Sequence, residues 1–177
     1  MFTFPCELDH HVSLPNQLLL HLRPLHRCDQ MSIRDLDSHL SPRTRYLRFF
    51  SAMPQLSESM VKLLACVDYR QRLALLAEVS TTDGTELVAL GSYAAVDGRT
   101  AEIGLVVRDE WQRRGIGMAL ATRVLQAAEA RGFDRFVAHL LHENVMARRF
   151  LNRLGGILST KSQDGVLKVS FVGPGAR

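Results

Sequence analysis

Along the chain the spacing of apolar residues changes several times, and each change marks a different kind of element. From Gln17 to Leu25 the pattern alternates well enough for a first strand, which Pro24 ends. Helical spacing then takes over. Met31, Ile33, Leu36 and Leu40 share one side of a helix capped by Asp29, and a second helix begins after Ser41-Pro42, where proline suits the first turn. This second helix carries Tyr46, Leu47, Phe49 and Phe50. Ser57, followed by Glu58, opens a third, with Met60, Leu63 and Leu64 on one face. From Arg72 the chain reads as strands. Arg72–Ser80, Glu86–Val96 and Thr100–Val107 are joined at Asp83-Gly84 and Asp97-Gly98, two hairpin signals in succession. Helical spacing returns from Gly115 to Ala130, through Ile116, Leu120, Val124 and Ala127, and Arg131-Gly132 closes it. A strand (Arg135–Leu141), a helix (Asn144–Leu154) and two strands around Asp164-Gly165 (Ile157–Lys161 and Val166–Val172) follow.

Two consecutive hairpins predict an antiparallel sheet, whereas strand, helix and strand between Ala101 and Leu141 predict a β-α-β unit. The sheet is therefore expected to be mixed. A length of 177 residues suits one domain. Residues 1–16, with Pro5, Pro15 and His10-His11, read as a flexible N-terminal segment before a single domain over 17–177. The 46% hydrophobic and 23% charged shares are those of an ordinary soluble protein, and no uncharged apolar run nears the roughly 20 residues of a membrane helix. The first residues lack the basic-then-apolar order of a secretory signal. Cys6, Cys28 and Cys66 are odd in number and lack metal-type spacing, so reduced thiols in a cytoplasmic protein without a metal are expected. A net charge of +4 is mild, and the basic residues are scattered without aromatic interleaving or a nucleic-acid motif. They suit an anionic small ligand or an acidic protein surface instead.

One stretch narrows that ligand. Val106-Val107-Arg108-Asp109-Glu110-Trp111-Gln112-Arg113-Arg114-Gly115-Ile116-Gly117-Met118-Ala119 runs from an apolar strand through a glycine-bearing loop into an amphipathic helix. Unpaired N–H groups and the positive end of the helix dipole make such a junction an anion site, with Arg113 and Arg114 as cations at its rim. A phosphate or pyrophosphate is the natural guest. A P-loop would need Lys-Ser or Lys-Thr after the second glycine, and none is present. The dinucleotide fingerprint would need a third glycine where Leu120 stands and an acid closing the next strand, where Leu140-Leu141-His142 stands.

What remains is Gln-x-x-Gly-x-Gly, made of Gln112, Gly115 and Gly117, after a strand and before a long helix, with Asn144 and Ala147 opening the next helix. In these residues and in the order of elements from Leu18 to Val172 the chain resembles the GNAT superfamily of acyl-CoA-dependent N-acetyltransferases. Ser41-Pro42-Arg43-Thr44-Arg45-Tyr46-Leu47-Arg48-Phe49-Phe50, Val67-Asp68-Tyr69 and Val106–Trp111 look like bacterial protein-lysine acetyltransferases that modify acyl-CoA synthetases. The resemblance implies an α/β (α+β) fold: a mixed, mostly antiparallel central sheet flanked by helices, with a β-α-β acetyl-CoA-binding core. It implies acetyl-CoA as co-substrate, held by Leu105, Val106 and Val107 on the strand, by Gln112, Arg113, Arg114, Gly115, Ile116, Gly117 and Met118 in the loop and helix, and by Asn144 and Ala147. It makes Glu102, the one acid in that strand, the general base, with Asp68, His139 and His142 as substitutes. Alternation sets Glu102, Gly104 and Val106 on one face, opposite Ile103, Leu105 and Val107. The backbone N–H of Val106 or Val107 is the donor expected to hold the thioester carbonyl. One departure stands out: where many relatives have a tyrosine as general acid, this chain has Leu151. The implied acceptor is a protein lysine, an acyl-CoA synthetase among the candidates, on a monomer or homodimer that binds neither nucleic acid nor membrane. A small amine or polyamine is a second acceptor class, and an acyl-CoA-binding sensor without turnover is a reading of a different kind.

Overall fold

Leu73, Ala74, Leu75, Leu76 and Ala77 are all buried, a run that only a strand covered on both faces can carry. In the computed structural model, which describes residues 3–15, 17–82 and 84–173, that run lies inside an eight-stranded sheet. The strands are β1 (His10–Ser13), β2 (Leu19–Pro24), β3 (Arg72–Thr81), β4 (Gly84–Ala95), β5 (Thr100–Val107), β6 (Arg135–Leu141), β7 (Gly156–Gln163) and β8 (Val166–Val172). The helices are α1 (Gln30–Ser38), α2 (Pro42–Phe49), α3 (Glu58–Ala65), α4 (Ile116–Glu129) and α5 (Val145–Leu154). The strand order is β1-β2-β3-β4-β5-β6-β8-β7. Every pair is antiparallel except β5 with β6, so the sheet is mixed and mostly antiparallel, as the pattern predicts.

Two cores cover the two faces. Ile116, Leu120, Val124 and Ala127 of α4 pack with Leu73, Ala89, Phe136 and Phe171 of the sheet, and Ile103, Leu105 and Val107 lean on the same side. Ile33, Leu36, Val61 and Ala65 of α1 and α3 pack with Leu76, Leu90 and Val106 on the other. The period-two division of β5 is thus real. Turn chemistry holds too: Asp164 and Gly165 both take positive φ, 51° and 78°, which a primed hairpin turn requires. Asp83 lies outside the described residues. Cys6, Cys28 and Cys66 are free and exposed. No helix among the described residues is long and apolar enough to cross a membrane.

The N-terminal segment departs from expectation. Cys6–Leu8 forms a 3₁₀ turn and His10–Ser13 pairs with β2 as the sheet's edge strand. Leu8 and Leu14 are buried in the α4-side core, which supplies the apolar contact that a composition of prolines and histidines conceals. Asp29 precedes α1 without capping it through its side chain. Its carboxylate instead accepts from His26 N and from Arg23.

Behind α1 and α2 lies a buried ion pair. Asp37 Oδ1 accepts from Arg45 Nε at 2.8 Å, and Asp37 Oδ2 accepts from Leu56 N at 2.8 Å. The two side chains are only 5% and 6% exposed. Removing one partner of such a pair strands the other as an uncompensated buried charge. Asp37→Ala is therefore expected to destabilise the fold by about 3–5 kcal/mol, read as a lowered denaturant midpoint. A midpoint unchanged from wild type would contradict the assignment.

Candidate active site

The two parallel strands part company almost at once. β5 and β6 are paired only between Thr100–Glu102 and Arg135–Val137, although β5 continues to Val107 and β6 to Leu141. Beyond Glu102 the sheet is a fork. Each arm feeds a helix: β5 leads through a loop into α4, and β6 leads into α5. Both helix N-termini, with their positive dipole ends, stand at the mouth of the fork, outside the carboxyl ends of its strands. Phe150 of α5 comes within 3.7 Å of where a Cβ on Gly117 would sit, so the two helices meet there.

Register decides what the fork offers. Arg108 N–H donates to Val88 O of β4 at 2.9 Å. Backbone groups alternate along a strand, so those of Val106 face β4 and those of Leu105 and Val107 face the gap. Of the two amides expected to hold a carbonyl, it is Val107's that is aimed into the opening. Val106 is buried against the α1–α3 core. Gln112 Nε2 donates to Val107 O at 3.0 Å, covering one open-edge carbonyl. The remaining edge can be extended by a ligand that lies along it as an added strand, and the amide-bearing pantetheine arm of a CoA thioester has that chemistry.

The loop is built to leave donors free. Asp109–Trp111 makes a 3₁₀ turn, Arg113 takes φ 59° and Gly115 takes φ 92°. The left-handed conformation at 115 costs glycine little and lets the chain turn directly into α4. Gly115 provides no side-chain cap. The amides of Arg113, Arg114 and Gly115 find no acceptor among the described residues, and the first N–H groups of α4, at Ile116, Gly117 and Met118, have no intrahelical partner. Arg113 and Arg114 are exposed, and the Arg114 guanidinium lies 4.7 Å above the Trp111 ring.

An unforeseen contact fixes this loop. Asp109 accepts from Ser41 N at 2.9 Å, Ser41 Oγ at 2.8 Å and Thr44 Oγ1 at 2.7 Å. Burial alone would raise its pKa, but these donors from Ser41 and Thr44 hold it below the usual carboxylate range. The α2 N-terminus, which the Ser41 side chain also caps, is thereby tied to the loop. The sequence announces Ser41-Pro42 as a helix start but not its partner.

At the closed end of the fork, Glu102 Oε1 lies 3.1 Å from His139 Nδ1 across the gap between β5 and β6. Their side chains are 49% and 32% exposed, so both reach solvent. Asn144 caps α5, its Oδ1 accepting from Ala147 N at 3.0 Å, which leaves its NH₂ donors for a ligand. Asp68 sits elsewhere. Against the burial that would raise it, N–H donors from Arg72, Arg70 and Gln71 keep its carboxyl below its usual value and commit it to a turn. His142 is exposed past the end of β6 and lines a cavity of about 370 Å³ between α5 and β7–β8 that includes neither Glu102 nor the loop. Leu151 is buried in the core. Two of the three tyrosines are committed elsewhere: the Tyr93 hydroxyl donates to Arg70 O and is pushed by burial to about 12, and Tyr69 donates to Leu25 O.

A fork with positive helix ends at its mouth suits an anionic, extended ligand. The comparison with known proteins agrees. Residues 40–156 match the acetyltransferase (GNAT) family, and the chain belongs to that family. It is 30% identical over 129 residues to Acetyltransferase PA5475 of Pseudomonas aeruginosa, covering 72% of this chain and 69% of that protein. It is 30% identical over 140 residues to Acetyltransferase Pat of Mycolicibacterium smegmatis, covering 77% of this chain but only 41% of that longer protein. Among solved structures, the GNAT domain of S. lividans PAT superposes with a TM-score of 0.83 at 27% identity, covering 96% of this chain and 99% of that one. The Salmonella typhimurium protein YncA, solved with its cofactor acetyl-CoA, shares the fold at a TM-score of 0.68 and 15% identity, covering 86% of this chain and 93% of that one.

Proposed function

We propose that this acetyltransferase moves the acetyl group of acetyl-CoA onto a protein lysine side chain, with Glu102 as general base. The observation that carries the reading is the fork, whose mouth suits a pyrophosphate and whose closed end presents Glu102 beside His139. The pyrophosphate would rest on the free amides of the loop and of α4, between Arg113 and Arg114. The arm would run along β5 from Val107 toward Glu102, with Asn144 donating to it from the opposite arm. The Val107 N–H would then meet an amide of the arm, and the thioester carbonyl, further in toward Glu102, would meet the gap-facing N–H of Leu105, a pre-aimed donor of a kind worth roughly 3–4 kcal/mol in characterised enzymes.

Lysine arrives protonated, and neutralising it near pH 7 costs about 4–5 kcal/mol. Glu102, directly or through a water, takes that proton, and His139 at 3.1 Å can hold the carboxylate in place. The neutral nitrogen attacks the carbonyl carbon, the C–N bond forms, the C–S bond breaks, and the electron pair leaves with sulfur. A thiol of pKa near 8.5 departs as thiolate without a proton donor, so the apolar Leu151 does not block the reaction. The resemblance of Ser41–Phe50, Val67–Tyr69 and Val106–Trp111 to bacterial protein-lysine acetyltransferases supports a protein acceptor. The test compares kcat/KM on lysine-bearing proteins, an acyl-CoA synthetase among them, with kcat/KM on spermidine. Faster transfer to a protein lysine is expected; spermidine modified while every protein stays unmodified would overturn the acceptor assignment.

A further inference from the structure

Glu102 is not the only charge on its face of β5. Arg48, near the end of α2, lays its guanidinium against Gly104, so closely that a Cβ at 104 would collide with it. The Ser92 hydroxyl on β4, directly across the ladder from Gly104, lies 3.2 Å from the same point. Among the described residues Arg48 forms no hydrogen bond: its Nε is buried without a partner, and its recorded company is the Phe49 ring at 5.1 Å and the field of Glu102. Ser92 is likewise without a recorded partner. Burial lowers the Arg48 pKa and Glu102 offsets only part of that, yet a guanidinium stays charged near neutrality. A planar cation with unpaired N–H donors and a free hydroxyl beside it thus lies against β5 one position past Ile103, where β5 and β6 diverge.

We propose that Arg48, with Ser92, recognises a carboxylate on one of the two substrates, making the enzyme selective for an acidic acyl chain or an acidic acceptor. The proposal rests on the fork being the acyl-transfer site. The guanidinium presents N–H groups in a flat fork that matches a carboxylate through two parallel bonds, a fit an ammonium cannot offer. Glu102 stands on the same face two residues away and repels an anion, so the bound carboxylate belongs on the side of the guanidinium turned away from Glu102. The transfer itself is unaltered: C–N forms, C–S breaks, and the carboxylate takes no part in the bonds exchanged.

Two pairs of probes separate the sources. Succinyl-CoA against butyryl-CoA varies a carboxylate on the donor at equal chain length, and free lysine against lysine amide varies one on the acceptor. Thiol release measures turnover, and calorimetry measures binding of each member. Wild type is expected to favour the carboxylate-bearing member of one pair by about 10- to 100-fold, the range of a hydrogen bond to a charged group. Arg48→Gln should collapse that preference, Arg48→Lys should recover it in part, and Ser92→Ala should weaken it should Arg48→Gln fail to fold. No preference in either pair, or a preference that survives Arg48→Gln and Ser92→Ala alike, would overturn the proposal. Turnover without preference overturns the role of Arg48 alone; carboxylate-selective binding without turnover overturns the transferase reading alone.

Discussion

Glu102→Gln is expected to lower kcat about 10²–10⁴-fold, the span that one positioned base contributes. The amide has the shape of the carboxylate but cannot accept the lysine proton, so the penalty of deprotonating the amine returns to the barrier. KM for acetyl-CoA should move little, because Glu102 sits at the closed end of the fork and the donor's anionic end lies at its mouth. Loss of stability should be small, because the side chain is 49% exposed and hydrogen-bonds to His139, although its charge also offsets that of the buried Arg48. The measurement is steady-state thiol release with both substrates varied, beside a thermal melt. Equal kcat for variant and wild type would remove Glu102 as base and return attention to His139, which shares the position.

Gly117→Asp is expected to weaken acetyl-CoA binding by about 10³-fold. A carboxylate roughly 4 Å from a phosphate charge costs about 4 kcal/mol at a surface-like effective dielectric of 20. The fold should accept the change, since a Cβ at 117 meets Leu105 and Val107 at 3.6 Å and Phe150 at 3.7 Å, ordinary contact distances. Gly117 is helical rather than left-handed, so no backbone strain confuses the result. Calorimetric titration with acetyl-CoA decides the matter, and retained affinity in a folded variant would show that the pyrophosphate is held elsewhere.

Much of this was legible from local pattern. Thr100–Val107, Arg135–Leu141 and Val166–Val172 have the bounds their alternation implies, and Ser41 and Ser57 cap α2 and α3. Local pattern also marks the loop, because glycine at a positive φ and an uncapped helix start leave a signature in neighbouring residues. The fork leaves none. Ile103–Val107 alternates in the same way whether or not its outer edge is paired, and only the register with β6 reveals the opening. The insertion of β8 between β6 and β7 is hidden for the same reason. Long-range polar contacts are equally silent. Asp109 reaches back to Ser41 and Thr44, and Arg45 and Arg48 look alike in sequence, though one is buried on Asp37 and the other lies against β5. The N-terminal segment misled because Leu8, Val12 and Leu14 are too few to show a period, yet each meets the α4-side core.

The central claim is that the fork holds the anionic end of acetyl-CoA at its mouth and brings the thioester to an amine at its closed end. It is tested most directly by thiol release from acetyl-CoA by the wild-type chain, paired with mass analysis of the acceptor, across lysine-bearing proteins and small amines. The account predicts acceptor-dependent thiol release matched one for one by acetyl-amine formation. Saturable acetyl-CoA binding with no release on any acceptor would contradict it.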